Sequence, residues 1–386
     1  MQRRDFLSAA AIGTAAFGAK ELVAATPAQA RHPDPPPAPH LQWQLWSRHL
    51  QWVSTQAQAA ADPYGVGLLI GQYALASGYP AVGLTVRNGG HVDPTQVATH
   101  LPLMLKGIRA TGCLCNHIGT DVNPPIDPED TTWITTQRVH QVLSVARANG
   151  IERYRCANRG FTANTFGEEM QDQLDVMRGN YQRLADINEH YRLNALYHTQ
   201  TSLGVTVWEF VRLLQGPTTS ESRHGRPQRG HWNDDRPIDA RRVGINFAIG
   251  HVGREMPLNG WQTALRYALP HVRGVALHAP QINRNAETGR LQNTVVPAAQ
   301  SHVDFTAFFR YLLQGAYNGA SEVQIEHSIV GANGTTVSLN NAFFADHAQF
   351  VSGNLTPAIM VSEMKKEVEF YKGRALDAGW TASQMT

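Results

Sequence analysis

Histidine and arginine recur in this 386-residue chain where short apolar runs give way to polar ones. The junctions read Trp46-Ser47-Arg48-His49, Val86-Arg87-Asn88-Gly89-Gly90-His91, His117, Tyr154-Arg155, Tyr197-His198, Ile249-Gly250-His251, His278 and Glu326-His327. An imidazole can shuttle protons near neutral pH or ligate a divalent metal. A guanidinium binds oxyanions or carbonyl oxygens. A carboxylate acts as a base or as a metal ligand. Together they suit a polyhydroxylated or anionic small molecule. Glu326 is the one obvious strand-end carboxylate, and a charge there is costly to bury without a partner. Glu326, His251 and His198 are therefore the expected catalytic groups and the expected ligands of a divalent metal. Arg87, His91, Arg155, His49 and His278 are expected to contact substrate. Structural alternatives stand beside these roles: His198 and His278 as satisfied core histidines, Arg48-His49 as barrel closure, His117 as a buried structural residue.

Elements must bring these residues together. Strand candidates are Gln42–Trp46, Ala81–Val86, Cys113–Ile118, Arg153–Cys156, Asn194–His198, Gly244–Ile249, Gly274–His278 and Ser321–Glu326. Helical patterns lie between them. Asp93-Pro94 supplies an N-cap with proline at the first helical position, and Gly112 ends that helix. Thr132–Asn149, Glu168–Tyr191, Trp208–Leu214, Trp261–Leu269, Asp304–Leu313 and Ala358–Ala378 follow. Alternating strands and helices predict an α/β protein, a (β/α)8 barrel, whose active sites lie at the strand C-termini. Periodicity alone does not separate this from an open doubly wound sheet. The absence of a glycine-rich phosphate loop after the first strand argues against a dinucleotide fold. The polar stretch 216–241 interrupts the rhythm after a helix and before a strand. In a barrel that is the face opposite the active site, and the stretch reads as a surface insertion.

Composition narrows the partners. A formal net charge of +2 gives no basic field for nucleic acid. Nothing beyond the N-terminal segment is apolar enough to span a membrane. Cys113, Cys115 and Cys156 are a poor disulfide framework. At the N-terminus, Arg3-Arg4 precedes Phe6-Leu7, an alanine-rich apolar run and Ala28-Gln29-Ala30. This order predicts a twin-arginine signal over 1–30, recognised by the twin-arginine export machinery and placing the protein in the periplasm. A proline-rich linker over 31–40 and a barrel over 41–386 follow, and the barrel has length enough for one large core.

Two stretches carry a family resemblance. Leu45-Trp46-Ser47-Arg48-His49-Leu50-Gln51-Trp52 and Leu84-Thr85-Val86-Arg87-Asn88-Gly89-Gly90-His91-Val92 resemble the first two strand ends of exported sugar phosphate isomerase/epimerase-like proteins, of the xylose isomerase-like TIM-barrel superfamily. Tyr197-His198-Thr199-Gln200, Phe247-Ala248-Ile249-Gly250-His251 and Val323-Gln324-Ile325-Glu326-His327 resemble later motifs of that group. The resemblance implies a TIM barrel that acts on a sugar or sugar derivative. It implies proton transfer next to a carbonyl, supported by a divalent metal. The chain departs from the pattern at Gly83, Gln200, Ala248 and the pair His278-Ala279, where the family carries acidic residues, histidine or lysine. Alanine cannot ligate, so a carboxylate-rich magnesium site is disfavoured. Zinc, manganese or iron on nitrogen donors, or no metal, remain open. Three readings stand: a metal-assisted sugar isomerase or epimerase, a non-catalytic carbohydrate-binding barrel, or a subunit of a larger sugar-modifying assembly.

Overall fold

β-Branched and aromatic runs alternate with capped amphipathic helices, and the strands close into a ring. The computed structural model describes residues 37–122, 136–156, 168–200, 205–216, 237–256, 259–338 and 352–386. The expected signal over 1–30, most of the linker and positions 217–236 of the insertion lie outside the described residues. The barrel strands are β1 (His40–Trp46), β2 (Ala81–Val86), β3 (Leu114–Thr120), β4 (Arg153–Cys156), β5 (Asn194–His198), β6 (Val243–Ala248) and β7 (Val272–Leu277). Two hairpin strands, β8 (Ala279–Arg284) and β9 (Leu291–Val296), precede the eighth barrel strand, β10 (Asn318–Val323). The eight barrel strands are parallel and closed, with β10 pairing both β7 and β1. A second hairpin, β11 (Ser328–Val330) with β12 (Thr336–Ser338), follows β10.

The helices are α1 (Gln56–Ala61), α2 (Pro63–Ala76), α3 (Val97–Ala110), α4 (Thr136–Ala148), α5 (Glu168–Tyr191), α6 (Val207–Gln215), α7 (Ile249–Glu255), α8 (Gly260–Ala268), α9 (Phe305–Gln314) and α10 (Pro357–Asp377). Local chemistry explains several of their starts. The Thr206 side chain accepts from Glu209 N–H while the Glu209 carboxylate accepts from Thr206 N–H, a capping box at α6. Asp62 accepts from Gly65 N–H and Pro63 opens α2. No helix among the described residues is long and apolar enough to cross a membrane.

Strand alternation divides the side chains into two sets. Outward residues pack on helices: Trp43 meets Phe309 of α9 edge-on at 5.8 Å, and Tyr197 stacks on Phe210 of α6 at 3.9 Å. Tyr154 donates to Asn188 Oδ1 of α5 at 2.8 Å. The inward set on the same strands includes Gln44, Gly83, His117, Arg155, His198, Asn246, Ala248, Ala276 and Glu322. Barrels of this kind are usually filled by bulky branched side chains. Small and polar residues here leave a hydrogen-bonded bore instead. The cysteines are free and buried, and burial pushes the Cys113 and Cys156 thiols up to about 12.

Three strand ends near the site fall earlier than expected. The eighth strand ends at Val323, so Glu326 lies in the coil beyond it. The neighbouring strand β1 turns into a 3-10 helix at Ser47–Val53 and offers no further carbonyls. His49 Nε2 accepts the Ile325 N–H at 3.0 Å in their place. The sixth strand ends at Ala248, which puts His251 in the first turn of α7. His278 is the single residue between β7 and the unexpected hairpin strand β8.

Candidate active site

His198, His251 and His278 come together from β5, α7 and the end of β7. The His198 and His251 rings meet edge-on at 5.3 Å, and His251 meets His278 at 4.5 Å. Gly250 makes this possible: a β-carbon there would stand 1.9 Å from His278 Cδ2. All three rings are held below the ordinary imidazole range, chiefly by burial and then by neighbouring cationic groups. For His278 the value is pushed down to about 4, with the nearby Glu326 opposing the shift. Three imidazoles neutral at pH 7 thus cluster here, and the half-buried Glu326 lies within electrostatic reach of His278.

The remaining expected residues divide. Arg155 faces the bore, its guanidinium carbon 4.6 Å from the Trp46 ring centroid. Arg87 pairs with Asp121 at 3.1 Å, a carboxylate just past β3. His49 holds the strand-end N–H described above, so its place is structural closure of the barrel. His91 Nδ1 sits 2.9 Å from Thr85 Oγ1 and 3.2 Å from Ser47 Oγ, which ties the β2 loop to the first 3-10 helix. His91 also lines an outer cavity of about 440 Å³ with residues of α1, the β2–α3 connection and α3, including Gln56, Asp93 and His100. His49 and His91, expected at the substrate, thus hold the structural bonds that stood beside that expectation.

One functional group escaped the sequence reading. Glu322 is buried in the bore, where Oε1 accepts from Gln324 Nε2 at 2.8 Å and Oε2 from Gln44 Nε2 at 3.3 Å. Gln44 Nε2 also donates to His117 Nδ1 at 2.6 Å. Burial raises the Glu322 carboxyl and pushes His117 down to about 3. A β-carbon on Gly83 would lie 2.7 Å from Glu322 Oε2. The missing side chain at Gly83 and the carboxylate from β10 thus occupy the same space. A period-two signal was present, because Glu322, Gln324 and Glu326 fall on one face of an extended run.

The donor set does not fit a divalent metal. Among the described residues, no three of His, Cys, Asp or Glu are arranged to hold an ion. The expected ligands Glu326, His198 and His251 are not brought to a shared coordination point. His198 Nδ1 faces Asn246 at 3.3 Å, and His251 Nδ1 is taken by Arg254. Ala248, Ala279 and Gly83 offer no donor. The positive charges of Arg155 and Arg254 act on the same imidazoles, which disfavours a dication there.

No family profile matches the sequence, and no curated protein is similar to it. Solved structures are similar in fold. D-allulose 3-epimerase from Methylomonas sp., in complex with D-allulose, is 14% identical, with 88% of this chain and 98% of that chain covered at a TM-score of 0.53. An L-ribulose 3-epimerase is 12% identical over 87% of this chain and 94% of that one, with a TM-score of 0.52. A xylose isomerase domain protein from Alicyclobacillus acidocaldarius subsp. acidocaldarius is 12% identical over 88% and 100%, with a TM-score of 0.50. At these identities the likeness establishes the fold alone, a (β/α)8 TIM barrel.

Proposed function

We propose that this protein binds a sugar or sugar derivative at the C-terminal mouth of its barrel and moves a proton on the carbon beside the carbonyl, an isomerase or epimerase reaction. The observation that carries this reading is the cluster of three buried imidazoles, one of which, His278, lies within electrostatic reach of Glu326. Glu326 takes the proton from carbon. The electron pair moves onto the carbonyl oxygen, and an imidazole N–H stabilises the charge that develops there. A neutral imidazole serves as such a donor, and a fixed donor in a dry site needs little reorganisation. His278 suits the role because both its ring nitrogens lack a hydrogen-bond partner among the described residues. The proton then returns to the same carbon on the other face, or to its neighbour. Fold likeness to a D-allulose and an L-ribulose 3-epimerase supports a sugar as the substrate class.

The non-ligating Ala248 and Ala279 favour a second reading, sugar binding without turnover. One assay separates the two. The purified protein is incubated in D2O with a panel of ketoses, aldoses and sugar acids, and carbon-bound protons are followed by NMR. Exchange at one position beside a carbonyl supports the enzyme. Binding by calorimetry with no exchange across the panel supports the binding protein. We propose also that residues 1–30 direct export to the periplasm, as the order of Arg3-Arg4, the apolar run and Ala28-Gln29-Ala30 supports. Replacing Arg3 and Arg4 with lysine should leave an uncleaved precursor in the cell, and unchanged export would refute the assignment.

A further inference from the structure

Among the described residues, Arg155 is a buried cation without a counterion. The residue is 9% exposed, and Nη1 has no hydrogen-bond partner among the described residues. No carboxylate among them lies within ion-pairing distance of its guanidinium. The group stacks on Trp46, and its charge reaches Asp121, Glu322, His117, His198, His251 and His278. Asp121 is already engaged by Arg87, and Glu322 by the amides of Gln44 and Gln324. Burying an unpaired charge is costly unless something satisfies it.

Two further donors stand unsatisfied beside it. The Trp46 indole Nε1 is buried without a partner, and it lies 3.4 Å from where a β-carbon of Gly119 would be. Gly119 pairs directly with Arg155 across β3 and β4, so this N–H faces the bore next to the guanidinium. His117, 1% exposed, accepts at Nδ1 from Gln44, which leaves its proton on Nε2, again without a partner. His117 stands two residues before Gly119 on the same strand and on the same face. The orphaned groups of these three residues are donors, a planar guanidinium, an indole N–H and an imidazole N–H, while Gln44 Oε1 and Asp121 Oδ2 nearby are orphaned acceptors.

We propose that Arg155, Trp46 and His117 form the seat of a carboxylate, and that the substrate is a sugar acid. The inference rests on the mouth being a sugar site and adds the chemical class of the sugar. A planar guanidinium fork matches a planar carboxylate in two parallel hydrogen bonds. The carboxylate would neutralise the charge that the bore leaves unpaired. The reacting carbon would then be presented to Glu326 and His278 from a fixed anchor.

The test is calorimetric titration of the purified full chain with D-galacturonate, with neutral D-galactose and with galactose 6-phosphate. The uronate should bind at least about tenfold more tightly than the neutral sugar, the scale of one charge-assisted pair in a partly dry site. Arg155→Gln should abolish that preference, and Arg155→Lys should restore only part of it. If Arg155→Gln does not fold, Trp46→Phe, which keeps an aromatic ring and removes the N–H, should lower the uronate affinity several-fold. Equal or tighter binding of the neutral sugar overturns the carboxylate seat while leaving the sugar site standing. Tighter binding of the phosphate overturns the carboxylate assignment, and a preference that survives Arg155→Gln overturns the role of Arg155. Binding of none of the three overturns this inference, and if the D2O panel is silent as well, the sugar site falls with it.

Discussion

At the scale of single residues, the bore is organised by an exchange of space between Gly83 and Glu322. A side chain at position 83 and the Glu322 carboxylate exclude one another, since the β-carbon alone would stand 2.7 Å from Oε2. Gly83→Asp should therefore destabilise the protein by about 1–3 kcal/mol through overpacking, with a further cost for a second buried carboxylate. Combining it with Glu322→Ala should recover part of the loss, because the two changes share one cavity and do not add. Urea midpoints of the two single variants and the double variant measure this directly, and a Gly83→Asp protein as stable as the parent would contradict the packing. Glu322 was hidden from sequence reading because a carboxylate inside a strand looks like an exposed residue on an amphipathic face. Only the closed barrel makes that face an interior. His198, His278 and Arg155 were legible because they stand at ends of strands whose boundaries were nearly right. The structural bonds of His49 and His91 could not be read from the sequence, because position at a loop says nothing about whether a ring's nitrogens are already engaged.

At the scale of elements, the close of the barrel depends on a side chain replacing a strand. Where β1 gives way to a 3-10 helix, His49 supplies the acceptor that a paired strand would have given to Ile325 N–H. His49→Phe leaves a buried N–H without a partner, a cost of about 1–3 kcal/mol. It also frees the segment that carries Glu326. The variant should show a lowered melting temperature and faster amide exchange at Ile325 and Glu326, measured by hydrogen exchange. Unchanged protection at those amides would show that His49 is not the latch. Every barrel strand was legible in the sequence, and Arg153–Cys156 and Asn194–His198 were right to the residue. Their apolar runs are bounded by turn residues and buried on both faces. The hairpins β8–β9 and β11–β12 and the helix α2 were not anticipated by name. Hairpin strands with exposed residues such as Leu291 and Val330 lack the burial pattern that marks a strand.

At the scale of the whole molecule, the polar bore sets how stability varies with pH. His91 and His117 are pushed down to about 3 and His278 to about 4, each mainly by burial. Their unfolded values lie near about 6.5, so the unfolded chain binds their protons first on acidification. The stability they contribute is present above about pH 6.5 and is lost as pH falls towards 3 to 4. Glu367 acts in the opposite sense: burial raises it to about 7, so its contribution is lost as pH rises from about 4.5 through 7. His49, His198, His251, His271 and His327 are lowered as well, while Asp121 and Glu322 are raised, so the histidines outnumber the carboxylates and stability falls on acidification below about pH 6.5. Each net proton costs about 1.4 kcal/mol per pH unit, against a typical total stability of about 5–15 kcal/mol. Urea midpoints should be highest near pH 7 and drop steeply by pH 5. Midpoints that stay flat over that range would mean that the bore is hydrated and its histidines are free to protonate.

The central claim is that Glu326 moves a proton on a sugar at the mouth of this barrel. Glu326→Gln preserves the shape of the side chain and removes its basicity. The most direct measurement follows solvent-deuterium wash-in beside the carbonyl of the sugar that exchanges fastest, with the parent and the Glu326→Gln protein compared at pH 7. The account predicts a fall of about a hundredfold or more, the scale of a lost general base, with melting temperature and sugar affinity little changed. Exchange that proceeds at the parent rate in Glu326→Gln would contradict it.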